Sequence, residues 1–291
     1  MPKVSRKMGT RSKGDERARL SGPSSGPRTR EPAAAAAPET PRAADLGPGI
    51  KRASQAQAID IILADALADD EGTGLGCLGS MRYGKTYFMD RVHKAMLEKG
   101  VAERLLVHDC KKAEPQFAGA VVSGWQDFVS RAAELEGEPV IVFHHPDLMA
   151  RPTLQEVCEV ALAMAQDKLR VVVCADEVYK GTNGFQGWLK PKADPDGSEP
   201  PALYPLIIRE GGSQHLSHTW GTQVPQQLPT ECKVLTRSVA IFHSEGLAAE
   251  AAMAHFRLGP EAPELLRKLG RGEFLLYCQG QDWDRTVYGP E

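Results

Sequence analysis

CLGSMRYGKTYFM, residues 77–89, is a short apolar run followed by Gly-x-x-x-x-Gly-Lys-Thr. Gly79 and Gly84 permit the backbone conformations that turn successive N–H groups inward around a phosphate. The start of the helix that follows adds its own amides and the positive end of its dipole. In such a loop Lys85 reaches the β- and γ-phosphates and Thr86 offers its hydroxyl to Mg²⁺. The spacing therefore predicts an ATP-binding loop over Gly79, Ser80, Met81, Arg82, Tyr83, Gly84, Lys85, Thr86 and Tyr87, with an apolar strand before it and a helix after it.

Working outward, the pattern alternates between the two periods. SQAQAIDIILADALADD (54–70) has helical spacing, LGCLG (75–79) reads as a buried strand, and the helix after the loop ends at Gly100, a C-cap signal. Strands are expected at 104–110, 120–124, 139–145, 169–177, 216–223, 238–245 and 273–279. Helices are expected at 125–135, 153–168, 203–212, 246–257 and 261–269. Strands alternating with helices indicate a mostly parallel sheet covered on both faces.

The 291 residues suffice for one large domain, and their charge is uneven. Residues 1–52 hold 12 of the 35 Lys+Arg and 5 of the 38 Asp+Glu, about +7, whereas the remainder carries 23 basic against 33 acidic residues. That first segment is rich in Pro, Gly, Ser, Ala and Arg, with almost no large apolar side chains. It is expected to be a disordered basic tail suited to an anionic partner, with one folded domain over 53–291. It has no apolar core of a secretory signal, and no apolar run approaches the ~18 residues of a membrane helix. The six cysteines, at 77, 110, 158, 174, 232 and 278, form no Cys-x-x-Cys pair and read as reduced thiols of a cytoplasmic protein. His144-His145, His215 and His218 lack a third ligand at zinc spacing, so Mg²⁺ is the one metal assigned.

LRVVVCADE (169–177) ends a hydrophobic strand on two carboxylates. Beside a phosphate loop, Asp176 is placed to hold Mg²⁺ and Glu177 to orient or deprotonate the attacking water. A base for water favours ATP hydrolysis over phosphoryl transfer to a metabolite.

Downstream, REGGSQHLSHTWGTQVPQQLP (209–229) resembles the corresponding region of the FtsK–HerA superfamily of DNA-translocating ATPases. Members carry a Glu-Gly-Arg or Gly-Arg element and then a strand ending in a Thr/Ser-Gln-Arg-Pro-like sequence; Glu210-Gly211 and Thr222-Gln223-Val224-Pro225 stand in that register. The likeness implies an α/β fold of the RecA/ASCE P-loop type. It also implies that Gln223 is a polar sensor at the end of the strand beside Asp176-Glu177. LVHDCKKAE (106–114) loosely resembles the family's second strand, which often ends in Asp-x-Lys, here Asp109 and Lys111. Gly212 and Val224 stand where relatives carry arginines, so Arg209 and Arg237 are the nearby candidates for an arginine finger, Arg209 being taken first.

The resemblance covers roughly residues 70–280. One compact ATPase core behind a basic tail is similar to the packaging ATPases of viruses with internal membranes. It implies a double-stranded DNA packaging motor, a homo-oligomeric ring (hexamer) acting in the cytoplasm or at the packaging vertex of the virion, with a capsid or portal-vertex partner. The loop 180–197, with Lys180, Lys190 and Lys192 among Phe185 and Trp188, is the expected DNA grip. Two other readings stay open: a morphogenesis or secretion ATPase similar to zonular occludens toxin, and a P-loop small-molecule kinase with no DNA role.

Overall fold

Ser54 and Gln57 open the first helix with a reciprocal cap. The Gln57 amide donates to Ser54 Oγ at 3.2 Å and the Ser54 amide to Gln57 Oε1 at 2.9 Å. In the computed structural model, residues 46–69, 72–109, 115–134, 137–144, 154–178 and 202–291 are described. Their strands are β1 (Lys51–Ser54), β2 (Gly74–Leu78), β3 (Arg104–Asp109), β4 (Ala120–Val122), β5 (Val140–His144), β6 (Val171–Asp176), β7 (Leu216–Thr222), β8 (Ser238–Phe242), β9 (Phe274–Cys278) and β10 (Thr286–Gly289). Their helices are α1 (Gln55–Asp69), α2 (Lys85–Glu98), α3 (Trp125–Ala133), α4 (Leu154–Gln166), α5 (Leu203–Glu210), α6 (Thr230–Val234), α7 (Gly246–Phe256) and α8 (Ala262–Lys268). Helix α2 stops where the sequence predicts. Gly100 has φ +71°, its N–H donates to Leu97 O and that of Val101 to Met96 O at 2.8 Å, the double bond of a Schellman cap.

One sheet carries all ten strands in the order β1-β10-β9-β8-β2-β7-β6-β3-β5-β4. From β8 to β4 every pairing is parallel. Strand β9 runs antiparallel to both β8 and β10, and β10 pairs parallel with β1. Side chains alternate across the sheet as the period of two requires. Leu75, Cys77, Leu105, Val107, Val142, Val172 and Cys174 pack under α1 and α2. Leu78, Leu106, Ile141, Phe143, Val171, Val173 and Ile241 face α3, α4, α5, α7 and α8 on the other side.

The glycines of β2 have a steric reason. Gly74 and Gly76 stand in register with His218 and Trp220 of β7. A Cβ on Gly76 would lie 2.2 Å from the Trp220 ring, and one on Gly74 2.4 Å from the His218 ring. These bulky rings lie across the glycines, and both reach Thr236 Oγ1, Trp220 through Nε1 at 2.9 Å and His218 through Nε2 at 3.3 Å.

Leu46 is buried, and Lys51–Ser54, whose first two residues fall in the segment read as tail, forms the edge strand. Arg52 Nη1 lies 2.5 Å from Oε1 of the fully buried Glu273, whose other oxygen accepts the Gly270 amide at 2.8 Å. A residue that reads as tail charge is thus the counter-ion of a buried carboxylate. The short segments β10 and α6 also lie outside the expected elements. The strand KRAS has no apolar alternation to announce it, because a backbone ladder to Thr286–Gly289 makes it a strand.

Two buried histidines predict the pH response of stability. Burial depresses both His93 and His218 from 6.5 to about 3. The unfolded chain therefore binds more protons than the native one between those values, and stability falls as pH drops below about 6.5. At pH 5 each histidine should cost about 2 kcal/mol. Urea midpoints at pH 7.5 and pH 5 measure this, and an unchanged midpoint would refute it.

Candidate nucleotide site

The loop between β2 and α2 is held by backbone geometry that only small residues allow. Gly79 has φ +144°, and a Cβ there would sit 2.7 Å from Phe242 Cβ and 3.0 Å from the His243 carbonyl. Gly84, at φ +97°, caps α2, and a Cβ there would sit 3.3 Å from Gly272 Cα. Arg82 between them is also left-handed, at φ +66°. The loop is tied to its neighbours. Gly79 N donates to Thr222 O at 3.2 Å, Ser80 N to His243 O at 2.8 Å, and Gly272 N to Tyr83 O at 3.0 Å. The Tyr83 ring stacks on His243 at 4.1 Å between centroids and 6° between planes. Met81 and Tyr87 are exposed at the mouth.

Helix α2 makes its first internal bond from Phe88 N to Gly84 O at 2.9 Å. The loop ahead of it lies at the positive end of a 14-residue helix. Lys85 is buried and curls back over the loop, donating from Nζ to Gly79 O at 2.7 Å and Ser80 O at 2.8 Å. The ammonium is therefore stationed over the loop itself.

Strand order brings the second half of the site alongside. Strand β7 lies between β2 and β6, so Thr222-Gln223 emerges between the phosphate loop and Asp176-Glu177. Asp176 and Glu177 are both buried, and Glu177 is held in the left-handed region at φ +60°. Such a conformation in a residue with a Cβ costs about 1–2 kcal/mol and marks a constrained position. Gln223 Nε2 donates to Glu177 Oε1.

Gly221, a residue the sequence reading did not single out, makes this approach possible. It pairs with Cys77, two residues before Gly79. A Cβ at Gly221 would meet Asp176 Oδ1 at 3.1 Å and Met89 Cε of α2 at 3.2 Å. The Asp176 carboxylate thus reaches over β7 toward the phosphate-loop side through the space of a missing side chain. Burial pushes the Cys77 thiol well up, the Lys85 ammonium works against that, and the Asp176 carboxylate adds to it. Lys85 and Asp176 act on the same buried thiol, so both belong to one neighbourhood. The available signal in sequence was a glycine inside a strand pattern, which marks a close approach. Gly221→Val should displace Asp176 and lower divalent-dependent turnover at least about tenfold, an effect of the size seen when ligand support is lost. Turnover titrated against Mg²⁺ checks this, and an unchanged Mg²⁺ requirement would refute it.

The oxygen donors fit a hard divalent cation: the Thr86 hydroxyl at the start of α2 and the Asp176 carboxylate across Gly221. Arg209 does not join them. It ends α5, half exposed, with Nε 3.1 Å from Glu210 Oε1. With Arg237 it lines a cavity of about 470 Å³ against Gly72, Gly74, Leu216 and His218, at the N-terminal ends of β2 and β7. The phosphate loop leaves the opposite end of β2, five residues or about 16 Å along. Within one chain Arg209 is therefore no partner for a phosphate at this loop, because it stands at the other end of these strands. Lys111 and the basic loop 180–197 lie outside the described residues. Among the described residues no helix is long and apolar enough to cross a membrane.

No protein-family model matches the chain, and no curated protein matches it. Its fold does match solved structures. The genome packaging NTPase B204 from Sulfolobus turreted icosahedral virus 2 in complex with AMPPCP superposes with a TM-score of 0.52 at 16% identity, covering 76% of this chain and 98% of that one. The same protein in complex with ATP-gammaS gives 0.51 at 16%, covering 75% and 97%. B204, the DNA-packaging ATPase from Sulfolobus turreted icosahedral virus, gives 0.51 at 15% identity, covering 75% and 97%. This chain resembles those packaging NTPases in fold.

Proposed function

We propose that the chain is an ATP-hydrolysing motor of the FtsK–HerA type that translocates double-stranded DNA, acting as a viral packaging ATPase in a homo-oligomeric ring. The observation that carries the hydrolytic reading is the hydrogen bond from Gln223 to the buried Glu177, one strand from the phosphate loop. The fold likeness to packaging NTPases supports the motor reading.

In the proposed reaction, the amides of the loop and the start of α2 receive the β- and γ-phosphates. Lys85 exchanges its two carbonyl partners for phosphate oxygens, so its charge meets the transferred group. Thr86 and Asp176 would hold Mg²⁺, which would supply charge neutralisation at the phosphates. Glu177 takes the proton of the attacking water. Gln223 orients the Glu177 carboxylate through one of its oxygens, and its position at the tip of β7 links hydrolysis to movement of that strand. An arginine from a neighbouring copy would complete charge stabilisation, since Arg209 of the same chain is at the far end of these strands.

A DNA motor should turn over ATP several-fold faster with duplex DNA, and the stimulation should fade with rising salt as phosphate contacts are screened. Phosphate release measured with and without duplex DNA at two salt concentrations tests this. Turnover indifferent to DNA would remove the translocase reading and leave an ATPase of another kind.

A further inference from the structure

The second half of the phosphate loop is fastened from outside by a turn that the proposed reaction does not use. Residues 270–273 form this turn, closed by the Glu273 amide on Gly270 O at 3.1 Å and by the Gly270 amide on Glu273 Oε2 at 2.8 Å. Gly272, its third residue, has φ +84°, the left-handed backbone that glycine adopts at no steric cost. A Cβ there would also sit 2.9 Å from Pro290 Cγ. The Gly272 amide donates to Tyr83 O at 3.0 Å, two residues ahead of Lys85. On its other side the Tyr83 ring stacks on His243. The loop is thus gripped at Tyr83 between the end of β8 and this turn.

What holds the turn comes from the start of the fold. Strand β1 runs parallel to β2, by way of β10, β9 and β8, so its C-terminal end lies at the same end of the sheet as the phosphate loop. There Gln55, the first residue of α1, is 1% exposed. A buried amide group needs partners for both its oxygen and its nitrogen. Gln55 Nε2 donates to Gly272 O at 2.8 Å, and Oε1 accepts from Arg91 Nη1 at 2.6 Å. One glycine therefore takes Gln55 on its C=O and gives its N–H to Tyr83. The circuit leaves α2 at Arg91 and returns to the loop that opens α2. Capping α1 does not explain the buried side chain, because Ser54 and Gln57 already cap it.

We propose that Gln55 is a positioning residue for the nucleotide: through Gly272 it fixes Tyr83, and so holds the loop in the form that receives the outer phosphates. This rests on the nucleotide-site reading above.

The test is affinity for a non-hydrolysable ATP analogue and for AMP, by calorimetry on the full chain, beside hydrogen exchange of residues 270–273 by mass spectrometry. Gln55→Glu keeps an acceptor for Arg91 and loses the donor to Gly272. It should weaken the analogue about three- to tenfold, the worth of one hydrogen bond in an equilibrium, with AMP affected far less and exchange in the turn faster. Ile62→Val is the control for stability. Ile62 is buried in α1, and its carbonyl accepts from Thr73 Oγ1 at the opposite end of β2, so the variant should lower the urea midpoint and leave analogue affinity unchanged. Unchanged analogue affinity in folded Gln55→Glu would overturn the inference. So would an equal loss for AMP, or an equal loss in Ile62→Val. If Gln55→Glu does not fold, Gln55→Met, of similar length and without a donor, decides by the same outcomes. A wild-type protein that binds neither nucleotide would sink the nucleotide reading itself, a different result from intact binding indifferent to Gln55.

Discussion

Glu177→Gln should lower steady-state ATP turnover by about 10²–10⁴-fold, the range lost with a positioned general base, while nucleotide still binds. The side chain is buried with one oxygen engaged by Gln223. Glutamine keeps the volume and an acceptor oxygen for that bond but lacks a lone-pair charge able to take a proton. The left-handed backbone at φ +60° is the same for either residue, so the fold should persist. Phosphate release and binding of a fluorescent ATP analogue, measured on the same preparation, separate chemistry from affinity. Wild-type turnover would remove Glu177 from the reaction. Loss of binding along with turnover would assign it to the architecture of the strand end.

Lys85→Ala acts on the other half of the site. The ammonium donates two short hydrogen bonds to the loop carbonyls, and those donors are the ones available to a triphosphate. Charge-assisted hydrogen bonds contribute about 1.5–3 kcal/mol each, so losing two should weaken ATP by about 10²–10⁴-fold. The loop itself should survive, since Gly79, Ser80 and Tyr83 are tied by backbone bonds that do not involve Lys85. AMP has neither a β- nor a γ-phosphate and should lose far less affinity. Equal losses for ATP and AMP, by calorimetry, would mean that Lys85 holds the loop together and does not recognise the outer phosphates.

The elements around the phosphate loop were legible because each carries its own signal. Gly100 caps α2 by the Schellman bonds its position implies, and Val171–Asp176 is apolar on both faces, as a central parallel strand must be. The edge was not legible. Lys51–Ser54 and Thr286–Gly289 become strands by pairing with each other, and neither has a periodic pattern. Arg52 looked like one more charge of a basic tail, since nothing local connects it to Glu273 more than two hundred residues away. Strand length sets Arg209 beside the N-terminal ends of β2 and β7, the opposite end from the phosphate loop, a placement that nothing local to it announces.

By itself the sequence determined the chemistry on offer: two glycines, a lysine and a threonine at loop spacing, a strand ending in two carboxylates, and an amide at the end of another. These are local, because spacing along a turn and the alternation of a strand depend on near neighbours alone. Tertiary structure decided which of them meet. The order β2-β7-β6 puts Gln223 on Glu177, the missing side chain at Gly221 lets Asp176 cross toward the loop, and Asp109 comes to stand between Asp176 and His144. Those contacts span 35 to 67 positions of sequence, a separation at which only the packing of the whole sheet specifies a partner.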